Sequence, residues 1–306
     1  MTRDEWKPRI GFIGLGSMGR PMAARLRAAG FALTVFDIRA ETARDFVRNG
    51  GTAAATSADA ARTSDVVITM LPNGDVVRRV VVDGDDNLLA AMSPGCVLID
   101  MSSSSPTSTR SLGAMLAERD IAMLDAPVSG GVPRAEAGTL SIMVGGDAAV
   151  IDRCRPVLQA MGERIFTTGP LGSGHAMKAL NNLVSAAGLI AATEALLVGR
   201  RFGLDPNVMI DVLNASTGRN NSTENKFKQF VLSRHFASGF SIDLMVKDLT
   251  TAVELAHATG TPAPFSAACR ELWAAAQAQL ESGADHTAVV RWFETLAKAT
   301  LGEEAD

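Results

Sequence analysis

A lysine and two asparagines lie at the start of an apolar helical segment in the C-terminal half of the chain. The stretch GSGHAMKALNN contains Lys178, Asn181 and Asn182, and few polar residues follow in 183–199. Burial of a lysine in apolar surroundings disfavours its charged form, which lowers its pKa from about 10.4 toward values at which it can accept a proton. Residues four apart share one helix face, so Lys178 and Asn182 are neighbours. They are candidates for chemistry; the alternative is a lysine that extends to solvent beside two solvated amides.

A glycine-rich turn is the second candidate site. GLGSMG directly follows an apolar strand pattern and opens a helical pattern. Its first glycine permits a tight turn, its second lets a pyrophosphate approach the backbone, and its third lets the helix pack on the strand. Asp37 ends the next strand pattern, where a carboxylate would bind an adenosine ribose. The pattern predicts a dinucleotide site formed by Asp37 and the turn residues Gly14, Leu15, Gly16, Ser17, Met18 and Gly19.

Asp37 also bears on which dinucleotide binds. A carboxylate at this place repels a 2′-phosphate and favours NAD, whereas Arg39, two residues on, could offer that phosphate a partner. NAD is therefore the expected cofactor, with NADP as the alternative. If Asp37 only caps the following helix, this preference disappears.

The elements that must position these residues differ between the two halves of the chain. In the first half, short apolar strand patterns alternate with amphipathic helical patterns, which favours an α/β fold with a parallel, doubly wound sheet. From Gly172 onward helical patterns take over, interrupted by breakers at 203–206 and 260–264. The sequence predicts an N-terminal Rossmann domain, residues 1–170, and a helical C-terminal domain, residues 171–306.

Composition and charge restrict the partners and the compartment. The 306-residue chain has a net charge of -4 with both signs interspersed, unlike the clustered basic surface of nucleic-acid-binding proteins. Its three cysteines and four scattered histidines form neither a disulfide framework nor a metal-binding pattern. Segment 183–199 is marginal in length for a bilayer and is interrupted by polar residues, and the N-terminus lacks a signal-peptide pattern. We expect a cytoplasmic protein that binds a small molecule and no nucleic acid, membrane or metal.

Six blocks of the sequence resemble, in order, those of the β-hydroxyacid dehydrogenases, the family that contains 3-hydroxyisobutyrate dehydrogenase. They are GFIGLGSMGRPMA, TMLPNGD, DMSSSSP, DAPVSGG, GSGHAMKALNN and FSIDLMVKD, and together they span nearly the whole chain. The resemblance implies a Rossmann domain, a long connecting helix and an all-α C-terminal domain, with the active site between the domains. It also implies an NAD(P)-dependent enzyme for a short hydroxy acid or its semialdehyde, assembled as a homodimer or homotetramer, with residues 171–306 as the domain for substrate binding and oligomerisation.

The resemblance assigns roles to individual residues. Lys178 would be the general acid/base: it would accept the proton of the substrate hydroxyl during oxidation and return it during reduction. Asn182 would orient the substrate. The substrate carboxylate would be bound by Ser129, Gly130 and Gly131, and the cofactor would be contacted by Leu71, Pro72, Ser103 and Lys247.

Three of these motifs have plainer interpretations. PVSGG could be only a tight turn, and Lys247 with Asp248 could be an ordinary solvated pair on a helix. His175, just ahead of the apolar helix, is expected to be structural rather than catalytic.

The segment NASTGRNNSTENK, residues 214–226, bears on the substrate. It has Asn220 and Asn221 where animal 3-hydroxyisobutyrate dehydrogenases carry Cys-Trp. Buried amides without partners would penalise an apolar substrate, so we expect a more polar three- or four-carbon acid. Serine, tartronate semialdehyde and sulfolactaldehyde are candidates. An imine reductase and a non-catalytic cofactor-binding sensor are the alternatives, and Lys178 argues against both.

Overall fold

The structure is a computed structural model and describes residues 6–302. The chain forms two compact units, one up to Lys178 and one from Ala179 onward. The strands of the first unit are β1 Ile10–Ile13, β2 Leu33–Phe36, β3 Thr52–Ala53, β4 Val66–Thr69, β5 Val97–Asp100, β6 Ala122–Asp125, β7 Val128–Ser129, β8 Leu140–Gly145 and β9 Gly162–Gly169. Its helices are α1 Gly19–Ala28, α2 Ala40–Val47, α3 Ser57–Arg62, α4 Gly74–Arg78, α5 Leu88–Ala91, α6 Pro106–Ala117, α7 Gly131–Ala137 and α8 Ala148–Gln159.

The nine strands form one sheet in the order β3-β2-β1-β4-β5-β6-β8-β7, with β9 beside β8. Every pair from β3 to β6 is parallel, and β8 is antiparallel to β6 and β7. Strands β1, β4 and β5 are buried at all four positions, which is why they read as continuous apolar runs. The predicted doubly wound, mainly parallel sheet is confirmed.

The carboxyl ends of the central strands form one aligned edge. Thr69, Asp100 and Asp125 are register partners across β4, β5 and β6, and Thr69 is also paired with Ile13 of β1. The strand order reverses between β1 and β4, and in open α/β sheets ligands bind at the carboxyl edge of this point. The glycine turn after Ile13 lies there.

Helix α9, Ser173–Phe202, begins in the first unit and continues into the second. The second unit goes on with α10 Pro206–Ala215, α11 Asn221–Asn225, α12 Ile242–Ala258, α13 Pro264–Gln277 and α14 Val289–Ala297. The part of it that the structure describes contains no named strand, which agrees with the predicted all-α domain. At 30 residues, α9 is about 45 Å long and is the long helix expected between the two domains.

Helix α9 is long and apolar enough to cross a membrane by length and composition. Half of its most apolar stretch is nevertheless buried inside the protein. Its side chains Leu189 and Leu196 are fully buried in the core of the second unit, which also contains Trp273. We therefore describe α9 as a core helix.

All three cysteines are free thiols, and all are buried. Cys96 and Cys154 belong to the cores of the first unit and Cys269 to the core of the second. Burial raises the pKa of Cys154 to about 11 and that of Cys269 to about 11, because apolar surroundings disfavour the thiolate.

Candidate functional site

The glycine turn has three different requirements at its three glycines. Gly14 adopts φ +99°, and a Cβ there would collide with the carbonyl oxygen of Met70 and lie 3.0 Å from Leu71 Cδ2. A Cβ at Gly19 would collide with the carbonyl oxygen of Gly14. A Cβ at Gly16 would meet nothing within 4 Å. The first and third glycines therefore satisfy packing, while Gly16 leaves open backbone for a pyrophosphate, and the turn fits a dinucleotide.

Asp37 holds the turn rather than the next helix. Its Oδ2 accepts a hydrogen bond from the Leu15 N–H at 2.8 Å, and its Oδ1 accepts one from the Arg39 N–H at 2.9 Å. Arg39, not Asp37, is the N-cap residue of α2, and no side chain caps that helix. The alternative that Asp37 merely caps α2 is therefore wrong. The Arg39 guanidinium lies 3.5 Å from the same carboxylate, at Nε.

The carboxyl ends of β4 and β5 are joined by hydrogen bonds. Asp100, fully buried at the end of β5, accepts hydrogen bonds from Thr69 Oγ1 at 2.9 Å, Ser102 N at 3.0 Å and Ser104 Oγ at 2.7 Å. The Leu71 N–H donates to Ser102 Oγ at 2.9 Å. These bonds fix the segments that carry the predicted cofactor residues Leu71, Pro72 and Ser103. Because a carboxylate shared by two strands is a long-range arrangement, the sequence reasoning did not single out Asp100.

The first turn of α9 is held by a second buried carboxylate. Asp125, at the end of β6, accepts hydrogen bonds from the N–H groups of Gly172 and His175, both at 2.7 Å. Asp125 is fully buried, so these two bonds satisfy backbone donors that the start of a helix leaves open. The carboxylate thereby fixes where α9 begins, at Ser173, five residues before Lys178.

His175 completes this arrangement. Its Nε2 lies 3.1 Å from the carbonyl oxygen of Ser102 and therefore carries a hydrogen, since a carbonyl can only accept. Its Nδ1 is 2.8 Å from Thr109 Oγ1, and the ring lies 3.7 Å from the carboxylates of both Asp100 and Asp125. With 1% of its surface exposed, His175 ties α9 to α6 and to the end of β5. This agrees with the structural role expected for it.

The PVSGG motif occupies the turn between β7 and α7. Gly130 and Gly131 adopt φ +135° and +67°, conformations that residues with a Cβ rarely take. A Cβ at Gly130 would also lie 2.5 Å from Arg134 Cδ. Ser129 is half-buried and pairs with Ser141 of β8. The motif is thus a turn whose backbone conformation glycine adopts readily, with the Arg134 side chain packed against Gly130.

Asn182, Lys247 and Asp248 come together in the second unit. Asn182 Nδ2 donates to Asp248 Oδ2 at 2.6 Å, and Lys247 Nζ lies 3.3 Å from Asp248 Oδ1. Asp248 is 2% exposed, so the alternative interpretation of Lys247 and Asp248 as an ordinary solvated pair is wrong. Its carboxylate fixes the orientation of the Asn182 amide, because it accepts only from the nitrogen. Lys178, one turn earlier on α9, is half-buried.

Asn220, in the polar segment 214–226, binds the protein's own backbone. Asn220 caps α11, where its Oδ1 accepts from the N–H groups of Ser222 at 2.8 Å and Thr223 at 3.2 Å. Asn221 is exposed. Neither amide is buried without a partner, so the argument that they make the substrate pocket more polar fails. The Asn-x-x-Thr spacing, a capping box, was the signal for this role.

Lys226, the last residue of this segment, was not among the site residues predicted from the sequence. It is half-buried, and its Nζ donates to Ser185 Oγ of α9 at 3.2 Å. Burial lowers the pKa of Lys226 to about 8, and the negative charge of Asp285 opposes this shift. No pattern in the sequence distinguishes this lysine from its exposed neighbours.

Two family models match consecutive parts of the chain. The NAD-binding domain of 6-phosphogluconate dehydrogenase matches residues 9–169, and the NAD-binding domain of NADP-dependent 3-hydroxyisobutyrate dehydrogenase matches residues 172–293.

Three relatives match nearly end to end. The chain is 38% identical to the 2-(hydroxymethyl)glutarate dehydrogenase of Eubacterium barkeri over 96% of its own length and 97% of the relative's. It is 39% identical to the NAD-dependent L-serine dehydrogenase of Pseudomonas aeruginosa, over 94% and 98% of the two chains. The solved structure of Mycobacterium tuberculosis 3-hydroxyisobutyrate dehydrogenase with L-serine superposes with a TM-score of 0.87 at 37% identity, over 94% and 99% of the two chains.

Proposed function

Because this chain belongs to the β-hydroxyacid dehydrogenase family, we propose that it interconverts a short 3-hydroxy acid and its semialdehyde with Lys178 as the general acid/base. The chain is an oxidoreductase that acts on CH–OH groups, and its cofactor is NAD or NADP. The observation that carries the proposal is the position of Lys178: it is half-buried, one turn after a helix start held by two hydrogen bonds to a buried carboxylate.

The oxidation removes a hydride from carbon and a proton from oxygen. The nicotinamide cofactor supplies the hydride acceptor when it is bound. Lys178 Nζ takes the hydroxyl proton as the carbonyl forms, and returns it in the reductive direction. Because Asp125 and His175 hold the first turn of α9, the lysine starts from a fixed backbone position, which reduces the loss of entropy on reaching the reactive arrangement.

The remaining site residues bind and orient. Ser129, Gly130 and Gly131 bind the substrate carboxylate, a role supported by the two glycines, which have no Cβ to keep an anion away from the backbone N–H groups. Asn182, whose amide is oriented by Asp248, positions the substrate beside Lys178. The cofactor residues are Leu71, Pro72, Ser103 and Lys247 together with the turn 14–19.

NAD is the preferred cofactor in this proposal. The Asp37 carboxylate lies at the glycine turn and accepts the Leu15 N–H, where it also suits ribose hydroxyls and repels a 2′-phosphate. Arg39 is already beside that carboxylate. Three further statements remain predictions: the cytoplasmic location, a homodimer or homotetramer, and the assignment of residues 171–306 to substrate binding and assembly.

The test is the initial rate of absorbance change at 340 nm with NAD and NADP separately. The panel contains 3-hydroxyisobutyrate, serine and other short 3-hydroxy acids, and the semialdehydes with the reduced cofactors. We expect turnover of at least one acid, faster with NAD, and a fall in kcat of about 10²- to 10⁴-fold in Lys178→Ala with unchanged NAD affinity. Lys228→Ala, at an exposed lysine, is the control.

Two results would contradict the proposal. Full activity of Lys178→Ala would show that Lys178 is not the general acid/base. Cofactor binding without turnover of any hydroxy acid or semialdehyde would favour an imine substrate or a cofactor-binding sensor.

A further inference from the structure

Lys226 is a half-buried cation that no carboxylate of the described residues neutralises within 4 Å. Its ammonium group donates one hydrogen bond, to Ser185 Oγ, and a lysine has three N–H donors. Asp285, the acid whose charge acts on it, already accepts from Ser238 Oγ and from the N–H and Oγ1 of Thr287. Among the described residues, Ser185 is thus the one hydrogen-bond partner of this ammonium group.

The neighbouring histidine does not supply the missing charge. Burial lowers the pKa of His286 to about 4, and the positive charge of Lys226 contributes to this shift, so the ring is neutral at pH 7. Within residues 6–302, Lys226 thus has neither a close carboxylate nor a competing cation beside it. An anion that reached Nζ would replace the hydration that the lysine has partly lost, and hydrogen bonds to ionised donors are the stronger kind.

The partner of Lys226 lies on the face of α9 that carries the proposed chemistry. Lys178, Asn182 and Ser185 are spaced i, i+4 and i+7 on one helix, and these positions form a single stripe. Ser185 is about 10 Å from Lys178 along the helix axis, at 1.5 Å per residue. A three-carbon acid is too short to reach from one end of this stripe to the other, whereas an acid with a longer, charged side arm can do so.

We propose that Lys226 and Ser185 bind a second anionic group of the substrate, so that the preferred substrates are 3-hydroxy acids with a distal carboxylate or sulfonate. This inference rests on the proposed function, because it assumes that Lys178 acts on the hydroxyl group of the substrate. In it, Lys226 donates two hydrogen bonds to the distal anion, and Ser185 holds the ammonium in place. Lys226 is then a specificity-determining residue and takes no part in proton transfer.

The test compares substrates that differ only in distal charge. We would measure kcat and KM for 2-(hydroxymethyl)glutarate, for its monoamide at the distal carboxyl, and for the analogue with a distal sulfonate. We expect kcat/KM to be about 10- to 100-fold higher for both dianions than for the monoamide, because charged hydrogen bonds are lost with the amide. Lys226→Gln should abolish this preference through KM, with kcat and the monoamide rate changed less than about threefold.

Matched variants separate charge from folding. Lys228→Gln removes an exposed lysine that is paired with Asp211 at 2.5 Å, and should leave the preference intact. Ser185→Ala should weaken the preference while leaving Lys226 in place. Independently of turnover, the dissociation constant of glutarate should rise about 10-fold or more in Lys226→Gln, measured by calorimetry with cofactor present, and that of butyrate should not.

The outcomes are distinguishable. Equal kcat/KM for the dianions and the monoamide in the unmodified enzyme would overturn this inference while leaving the proposed function intact. An equal loss for charged and uncharged substrates in Lys226→Gln would also overturn it, since it would indicate a structural role. Absence of turnover with every acid, charged or not, would contradict the proposed function itself.

Discussion

His286 is a buried titratable residue outside the proposed chemistry. Its ring is 3% exposed, stacks on Trp273 at a centroid distance of 6.3 Å, and places Nδ1 3.1 Å from the carbonyl oxygen of Phe240. Nε2 has no partner among the described residues. The neutral ring with its hydrogen on Nδ1 is the form that this environment favours, and burial accordingly lowers the pKa to about 4.

We expect the free energy of unfolding to fall as the pH drops from 6.5 to 4. In this window the unfolded state binds a proton at His286 and the folded state does not, so protonation favours unfolding. The loss from this group approaches about 3 kcal/mol at pH 4, at 1.36 kcal/mol per pKa unit. Urea unfolding at several pH values measures it, and His286→Gln should flatten this part of the profile. A profile as steep in the variant as in the parent would show that other groups are responsible.

At the scale of elements, the carboxyl ends of β5 and β6 determine where α9 and its lysine lie. Asp125 is a buried N-terminal partner for α9, while Asp147 plays the same part for α8 at the surface, accepting from the N–H groups of Ala149 and Val150. The two aspartates thus make the same kind of bonds in different surroundings.

Asp125→Ala should be far more disruptive than Asp147→Ala. Removal of Asp125 leaves two buried N–H groups without partners, at about 1–3 kcal/mol each, and lets the start of α9 shift. We expect both stability and kcat to fall in this variant. Asp147→Ala removes an exposed cap, costs about 1 kcal/mol and should leave kcat unchanged. Thermal unfolding and initial rates test both; similar losses in the two variants would contradict the proposed positioning role.

Local patterns and long-range arrangements differed in how well the sequence revealed them. The glycine turn and the alternating strands of the first unit were predictable, because each depends on neighbours in the chain. Asp100, Asp125 and Asp248 were not, because each binds a residue far away in sequence. Asn220 misled the substrate argument: its amide serves a local capping box, a role that composition alone cannot separate from a pocket wall.

At the scale of the molecule, the second unit exposes apolar side chains along two helices. They are Val184, Val198 and Phe202 of α9 and Val208 and Val212 of α10, each more than half exposed. Apolar side chains exposed one helical turn apart, such as Val198 and Phe202, are typical of interaction surfaces in soluble proteins. It supports the predicted homo-oligomer.

We expect sedimentation velocity to show a dimer or tetramer, and Phe202→Lys combined with Val198→Lys to shift it toward the monomer. Charges at these positions would have to be buried on assembly, which is costly without partners. Phe166→Lys, at an exposed apolar residue of β9 in the first unit, is the matched control and should leave the assembly unchanged. A monomeric parent protein, or an unchanged oligomer in the double variant, would contradict this prediction.

Because all three cysteines are buried, the rate at which their thiols react reports the partial opening of the protein. Each thiol is shielded from solvent, and the high pKa values of Cys154 and Cys269 keep thiolate scarce. An alkylating reagent can therefore modify Cys269 only when the second unit opens, and Cys96 or Cys154 only when the first does. Peptide mass spectrometry after timed alkylation would then give a separate opening rate for each half of the enzyme, without any introduced label, and would show which half a bound nucleotide protects.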